Sequence, residues 1–284
     1  MKLVTWNIQW GRGLDGRVDL ERIVRTARAI ADFDVFCVQE VADNYPALAG
    51  NDDGNQFARL SSFLDGYERI EGYGVDVLGA GGKRRRFGNA IFTRYPVSAV
   101  RRHALPQPAD EGQESMPRVA IEATLAAPMG PIRVTTTHLE YYSEVQRTAQ
   151  ARRLREMHDE ACARTTRPGF PTAEGGPFDP PPQASAAILV GDFNFPPEHE
   201  AHWEIEHPLA SGGPRYRDAW TFLNGNRPHV PTFCVFDRRY SKVPYCCDFA
   251  FVSETLLNRV RGLDVESTTR ASDHQPLLLD LDDR

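Results

Sequence analysis

The chain has no C-x-x-C pair, no internal repeat and no surplus of positive charge. It also has no apolar run approaching the ~18 residues that span a bilayer. Each absence removes a class. The five cysteines (Cys37, Cys162, Cys234, Cys246, Cys247) are odd in number and lack paired spacing, so they read as buried free thiols rather than a disulfide framework or a zinc knuckle. No secretory pattern opens the chain, because Met1-Lys2 runs directly into the strand candidate Leu3-Val4-Thr5-Trp6. These features predict a soluble, cytoplasmic protein with no stable membrane insertion. A net charge of −6 argues against a protein that grips long nucleic acid through its phosphates alone. It leaves room for a local basic patch.

What is present is an ordinary globular composition, 41% hydrophobic and 25% charged over 284 residues. Strand candidates occupy residues 3–8, 34–40, 89–94, 118–125, 131–138, 187–190, 247–253 and 277–281, and those at 118–125 and 131–138 read as a hairpin. Leu20, Ile23, Val24, Ala27 and Ile30 recur at helical spacing over residues 19–31. A shorter helix is expected at 57–64 and the longest at 146–163. Residues 43–55 read as a loop, 167–182 as a surface excursion rich in Pro and Gly, and 195–214 as irregular. Hairpins and crossovers both occur, which predicts an α/β fold of two mixed sheets packed together with helices outside.

A series of polar residues sits at the ends of these apolar runs: Trp6-Asn7, Gln39-Glu40, Thr137-His138, Gly191-Asp192-Phe193-Asn194, Asp248 and Ser272-Asp273-His274. Polar groups delivered from several strand ends are how a scaffold assembles one catalytic site. Splitting the chain would split the series, so one domain over residues 1–284 is expected. The residue types suit hydrolysis of a phosphate ester, which requires activated water, charge neutralisation and a stabilised leaving oxygen. Glu40 and Asp273 are candidate ligands for a hard cation, Mg2+ or alternatively Mn2+, with Asn7 as a neutral oxygen beside them. Gly-Asp-x-Asn puts Asp192 and Asn194 on one side of an extended backbone, where Asp192 can hold or deprotonate water and Asn194 can donate to a phosphoryl oxygen. The same residues also favour turns. His274 is the candidate catalytic histidine with Asp248 orienting its ring, and His138 can donate to the phosphoryl group or leaving oxygen. Asn89 and Arg118 open apolar strands, either as substrate contacts or as solvent-facing starts.

In this order, with Val38-Gln39-Glu40, Gly88-Asn89-Ala90-Ile91, Arg118-Val119-Ala120, Thr137-His138-Leu139 and Asp248-Phe249-Ala250-Phe251-Val252 between the two ends, the sequence resembles the endonuclease/exonuclease/phosphatase superfamily. The resemblance covers essentially the whole chain. It implies a four-layered, DNase-like α/β sandwich with the site at the top of two central sheets. It further implies Asn7, Glu40 and Asp273 near the metal, Asp192 and Asn194 around nucleophile and phosphate, and Asp248 paired with His274. His138 matches the phosphate-contacting histidine of the family's nucleases. The sequence departs from the family pattern at Gln275-Pro276 and at Glu140-Tyr141-Tyr142-Ser143, whose aromatics either line a pocket or pack under the long helix.

The expected partner is a phosphate ester. The superfamily spans nucleic acid, lipid headgroup and small-molecule substrates, so membership names none of them. Lys83-Arg84-Arg85-Arg86, read as a glycine-flanked loop, is either a clamp for a nucleic-acid backbone or charged headgroup, or a solvated hairpin tip. His199, His202, Glu204, Glu206 and His207 lack tight tetrahedral spacing and read as an exposed, substrate-facing loop.

Overall fold

The computed structural model describes residues 1–170 and 175–283. In chain order the elements are β1 (Lys2–Asn7), α1 (Leu20–Ile30), β2 (Val35–Asp43), α2 (Gln56–Phe63), β3 (Glu68–Leu78) and β4 (Arg84–Thr93). There follow β5 (Val97–Ala104), β6 (Val119–Ala127), β7 (Gly130–His138), α3 (Glu144–Thr166), β8 (Ala187–Asp192) and α4 (Glu200–Glu206). The last are β9 (Tyr216–Asp218), α5 (Ala219–Asn224), β10 (Asp248–Ser253), β11 (Val260–Val265) and β12 (Leu277–Leu281). Two six-stranded sheets result, ordered β11-β12-β1-β2-β4-β3 and β5-β6-β7-β8-β10-β9. Among the described residues no helix is long and apolar enough to cross a membrane.

Side-chain alternation along each central strand explains the layering. On β2, Val35 and Cys37 face the space between the sheets, whereas Phe36 and Val38 face α1 and α2. On β8, Ile188 and Val190 point inward while Ala187 and Leu189 meet the layer containing α3 and α4. Strands buried on both faces therefore read as continuous apolar runs. The helices start at side-chain caps: Asp19 accepts from Arg22 N at 2.8 Å, Asn55 from Ala58 N at 2.9 Å and Ser143 from Gln146 N at 3.1 Å.

Two parallel pairs set the position of the polar end. β1 and β2 are parallel and joined through α1; β7 and β8 are parallel and joined through α3. Asn7 pairs with Gln39, and His138 with Asp192, so the carboxyl ends of all four strands lie at one end of the sandwich, where open α/β sheets carry ligands. Antiparallel β10 starts at that end, with Asp248 opposite Asp192. Gln39 fixes the sheets face to face, donating from Nε2 to Thr5 Oγ1 at 3.2 Å and to Thr136 Oγ1 at 2.9 Å.

Sequence patterning missed β3, β5, β9, β11, α4 and α5. β3 carries Gly72, Gly74 and several charges, and β5 alternates in exposure with Arg102 on its open side, so neither reads as an apolar run. Arg84–Arg86 begin β4 rather than occupying a loop. Part of the excursion expected at 167–182 (residues 171–174) lies outside the described residues; Phe170 and Phe178 on either side are exposed. All five cysteines are buried and free, as expected.

Arg133 on β7 is 2% exposed and joins sheet to helix. It donates to Glu122 Oε2 at 2.6 Å and to His158 Nδ1 on α3 at 2.5 Å. His158 Nε2 in turn donates to Pro214 O at 2.7 Å. The imidazole is thus needed neutral, with its proton on Nε2. Burial, then the Arg133 charge, lowers its pKa from 6.5 to about 3. An unfolded chain takes up the proton below 6.5, so this site stabilises the fold fully above 6.5 and loses that contribution as pH falls toward 3. Histidine NMR should show His158 neutral through most of that window; titration near 6.5 would refute the network. Gly191 offers a second check. Its φ is +139°, and an added Cβ would sit 2.0 Å from Thr137 O. Gly191→Ala should cost more than ~1 kcal/mol, read as a lowered thermal midpoint; an unchanged midpoint would contradict the close approach of β7 to β8.

Candidate active site

The polar end gathers three carboxylates from both sheets around one amide. Asn7, wholly buried at the end of β1, donates from Nδ2 to Glu40 Oε1 at 3.0 Å and to Asp192 Oδ2 at 2.9 Å. Its oxygen accepts from Gln9 N at 3.1 Å. Glu40 sits where β2 bulges against β4, between Val38 and Val41, with φ +61°. Asn194 holds φ +55° at the turn after β8. Non-glycine residues in this region cost roughly 1–3 kcal/mol each and persist where the surroundings over-determine them. Asp273 accepts from Gln9 Nε2 at 2.5 Å, and Ser272 Oγ donates to Asn7 O at 2.8 Å.

Crowding raises the acids. Burial, then the charge of Asp273, moves Glu40 to about 7. Burial and the charge of Asp248 move Asp192 to about 6, against the pull of His274. Burial raises Asp273 as well, again opposed by His274. Converging buried carboxylates with raised pKa values are the hard oxygen donor set that a divalent cation of the magnesium class prefers, and the residues present fit such an ion.

Asp192 lies between two imidazoles, with Oδ2 3.5 Å from both His138 Nε2 and His274 Nε2. His274 Nδ1 donates to Asp248 Oδ2 at 2.9 Å, and Phe233 stacks on the ring with centroids 4.4 Å apart. Burial works against charge on His274, but Asp248 and Asp192 outweigh it and hold the imidazolium well above its usual range. His138 goes the other way. Burial and the neighbouring charges of Arg118 and His274 hold it neutral. Asn194 accepts nothing from this pair; its N–H donates to Asp192 Oδ1 at 3.0 Å and its Nδ2 to Leu139 O at 2.9 Å.

Glu40, His138, Asp192, Asn194, Asp273 and His274 floor an open cleft of about 560 Å³, walled by Trp10, Tyr45, Phe87, Tyr141, Tyr142, Phe233 and Tyr240. Tyr141 and Tyr142 face the cleft rather than packing under α3. Arg118 lines it too, with Nε donating to Glu140 Oε2 at 3.1 Å and a buried Nη1 that has no protein partner. Asn89 stands apart from the main cleft: it lines a small adjoining pocket and donates from Nδ2 to Val119 O at 3.0 Å, tying β4 to the start of β6. The basic run is largely neutralised. Lys83 pairs with Asp53 at 3.4 Å, Arg84 with Asp76 at 2.8 Å and Arg86 with Asp76 at 3.4 Å, while Arg85 lies over Tyr45. The histidine-rich segment expected as a substrate-facing loop is instead α4, whose Ala201, His202 and Ile205 are buried behind the cleft.

Sequence reasoning missed Gln9 and Glu140. Gln9 lies in a one-turn helix two residues past β1, where no periodicity marks it. Glu140 is 1% exposed and accepts from Arg118 and from the N–H groups of Tyr141 and Tyr142. Its position two residues past His138 at a strand end was the available signal.

The family model described as Endonuclease/Exonuclease/phosphatase family matches residues 4–274. No curated protein matches the chain. Among solved structures, an endonuclease/exonuclease/phosphatase from Beutenbergia cavernae is 24% identical with a TM-score of 0.71, covering 99% of this chain and 71% of its own. A mannosyl-6-phosphatase of Bacteroides thetaiotaomicron is 19% identical at a TM-score of 0.63, covering 99% of each chain. The human Nocturnin catalytic domain, solved with a bound sulfate anion, is 17% identical at 0.61, covering 99% of this chain and 93% of its own. At these identities the likeness is one of fold, and it agrees with the DNase-like sandwich expected from the sequence.

The His274–Asp248 pair is directly testable. Asp248→Asn should lower the His274 pKa, because one of the two carboxylates that hold the imidazolium is removed. Histidine NMR would report the shift, and an unmoved titration would mean that Asp248 does not charge the ring.

Proposed function

The chain belongs to the endonuclease/exonuclease/phosphatase family, and from that premise we propose that it is a cation-dependent hydrolase of a compact phosphate ester. One observation carries the reading: Asp192 lies within 3.5 Å of both His138 and His274 and is bridged through Asn7 to Glu40, at the floor of a cleft with an unpartnered arginine nitrogen. Asp192, with a pKa of about 6, takes the proton of the attacking water. Asn194 fixes the Asp192 carboxylate through its backbone N–H. His274, oriented by Asp248, presents positive charge to the phosphoryl oxygens, and neutral His138 donates from its ring. Arg118 places Nη1 on a phosphoryl oxygen while Glu140 holds its guanidinium. Glu40 and Asp273 would hold the cation, Mg2+ or Mn2+, with Asn7 between Glu40 and Asp192. Such a cation supplies neutralisation of the phosphoryl charge and stabilisation of the leaving oxygen.

The character of the cleft favours a small substrate with an apolar or planar leaving group. Seven aromatic side chains wall it, and Arg118 is the one lysine or arginine among its lining residues. A nucleic-acid backbone needs a basic track, and the run at Lys83–Arg86 is occupied by Asp53 and Asp76. Asn89 acts here through the cleft wall, by holding Val119 beside Arg118.

The test is turnover of a panel with Mg2+: a chromogenic phosphodiester, a phosphomonoester, single- and double-stranded DNA, RNA and sphingomyelin. Small esters should be cleaved, chelation should stop the reaction, and Asp192→Ala or His274→Ala should reduce kcat by roughly 10²–10⁴-fold with the fold retained. Undiminished activity in either variant would remove the assignment. Turnover confined to nucleic acid, with steep loss on added salt, would replace the small-ester reading by a nuclease. Arg118→Met should lower kcat/KM by roughly tenfold or more, the order of one charge-assisted hydrogen bond; an unchanged value would place the phosphate elsewhere.

A further inference from the structure

Outside the cleft, three segments bring metal-binding side chains together in the interior. His202 comes from α4, Asp218 from the end of β9, and His229 from the chain that follows α5. Their ligand atoms all lie within 4.8 Å of one another. Asp218 Oδ2 is 3.2 Å from His202 Nε2 and 2.6 Å from His229 Nε2. None of the three lines the main cleft. The rings of Phe249 and Trp220 pack on the histidines, with centroid separations of 5.1 to 5.7 Å. Asp218 is 1% exposed, and among the described residues its ion-pair partners are these two imidazoles alone. Asp218 also caps α5, accepting from Trp220 N at 2.9 Å and Thr221 Oγ1 at 3.0 Å, but neither donor carries a full positive charge to balance the buried carboxylate.

We propose that His202, Asp218 and His229 form a structural site for a divalent transition metal of the zinc class. Two imidazole nitrogens and one carboxylate oxygen suit such an ion. A cavity of about 10 Å³, the lower limit for one water, borders Asp218 and His229. Proton bookkeeping permits occupancy, starting from two neutral imidazoles. Without an ion both Nε2–H groups donate to Asp218; with one, each Nε2 lone pair goes to the metal and the ring proton resides on Nδ1. For His202 that nitrogen faces Glu206 Oε2 at 3.5 Å, a carboxylate placed to accept it, as carboxylates commonly back metal-bound histidines. No proton has to leave the protein. The ion would join α4 and β9 to the segment after α5 across sequence that has no disulfide to hold it.

The experiment strips the purified protein with a chelator and titrates it with Co2+ in excess Mg2+, following visible absorption and circular dichroism. The wild type should take up one equivalent with the absorption of a four-coordinate site. His202→Gln and His229→Gln should lose that absorption, whereas the double variant Glu40→Gln, Asp273→Asn should keep it. A wild type that binds no Co2+ overturns the proposal, whether or not the histidine variants fold. Absorption that survives in His229→Gln, or disappears in the Glu40/Asp273 variant, assigns the ion elsewhere and overturns it equally.

Discussion

The amide of Asn7 is the interaction on which the polar end depends. One nitrogen donates to Glu40 in its own sheet and to Asp192 in the other, at 3.0 and 2.9 Å. A buried and a half-buried carboxylate drawn from facing sheets repel; an amide that gives a hydrogen to each turns the repulsion into a spacer. Hydrogen bonds to charged groups contribute about 1.5–3 kcal/mol each, and leaving such groups bare costs more. Gln39 does comparable work one residue row deeper, between Thr5 and Thr136, so the two sheets are registered by side-chain amides as well as by apolar packing.

The remainder of the site is a balance of charge built on that registration. Three raised carboxylates are offset by a histidine held protonated, and a second histidine is held neutral by burial, by Arg118 and by the first. Two residues in the left-handed region, Glu40 and Asn194, flank the same carboxylate cluster. Strain of this kind is tolerable because the strands leading into it are buried on both faces, and the apolar contacts of β2 and β8 outweigh it.

Much of this was legible in the sequence for one reason. Strands of the central layers are continuous apolar runs, so a lone Glu40, His138 or Asp192 at the end of one stands out. The family model and the structural neighbours agree with the recognition and the sandwich. The geometry brings Asn7, Glu40, His138, Asp192, Asn194, Asp248, Asp273 and His274 to one end, with Arg118 on the cleft wall and Asn89 behind it. Less visible were elements whose burial is one-sided or brief. β3 and β5 carry charge on their open faces, and α4 has only seven residues, too few for its buried Ala201, His202 and Ile205 to declare a period. Gln9 and Glu140 act from turns, where the path of the chain is decided by tertiary contacts that no local pattern encodes.

β12 lies beside β1, and Trp6 Nε1 donates to His274 O across 268 residues of sequence. The centre of the first sheet is therefore closed by a segment far removed in sequence. Until β12 docks, β1 has one unpaired edge, and the carboxylates at its end lack Asp273 and His274. Such distant closure raises contact order and slows the final step of folding. It also makes the completed polar end a readout of whether β12 has docked on β1.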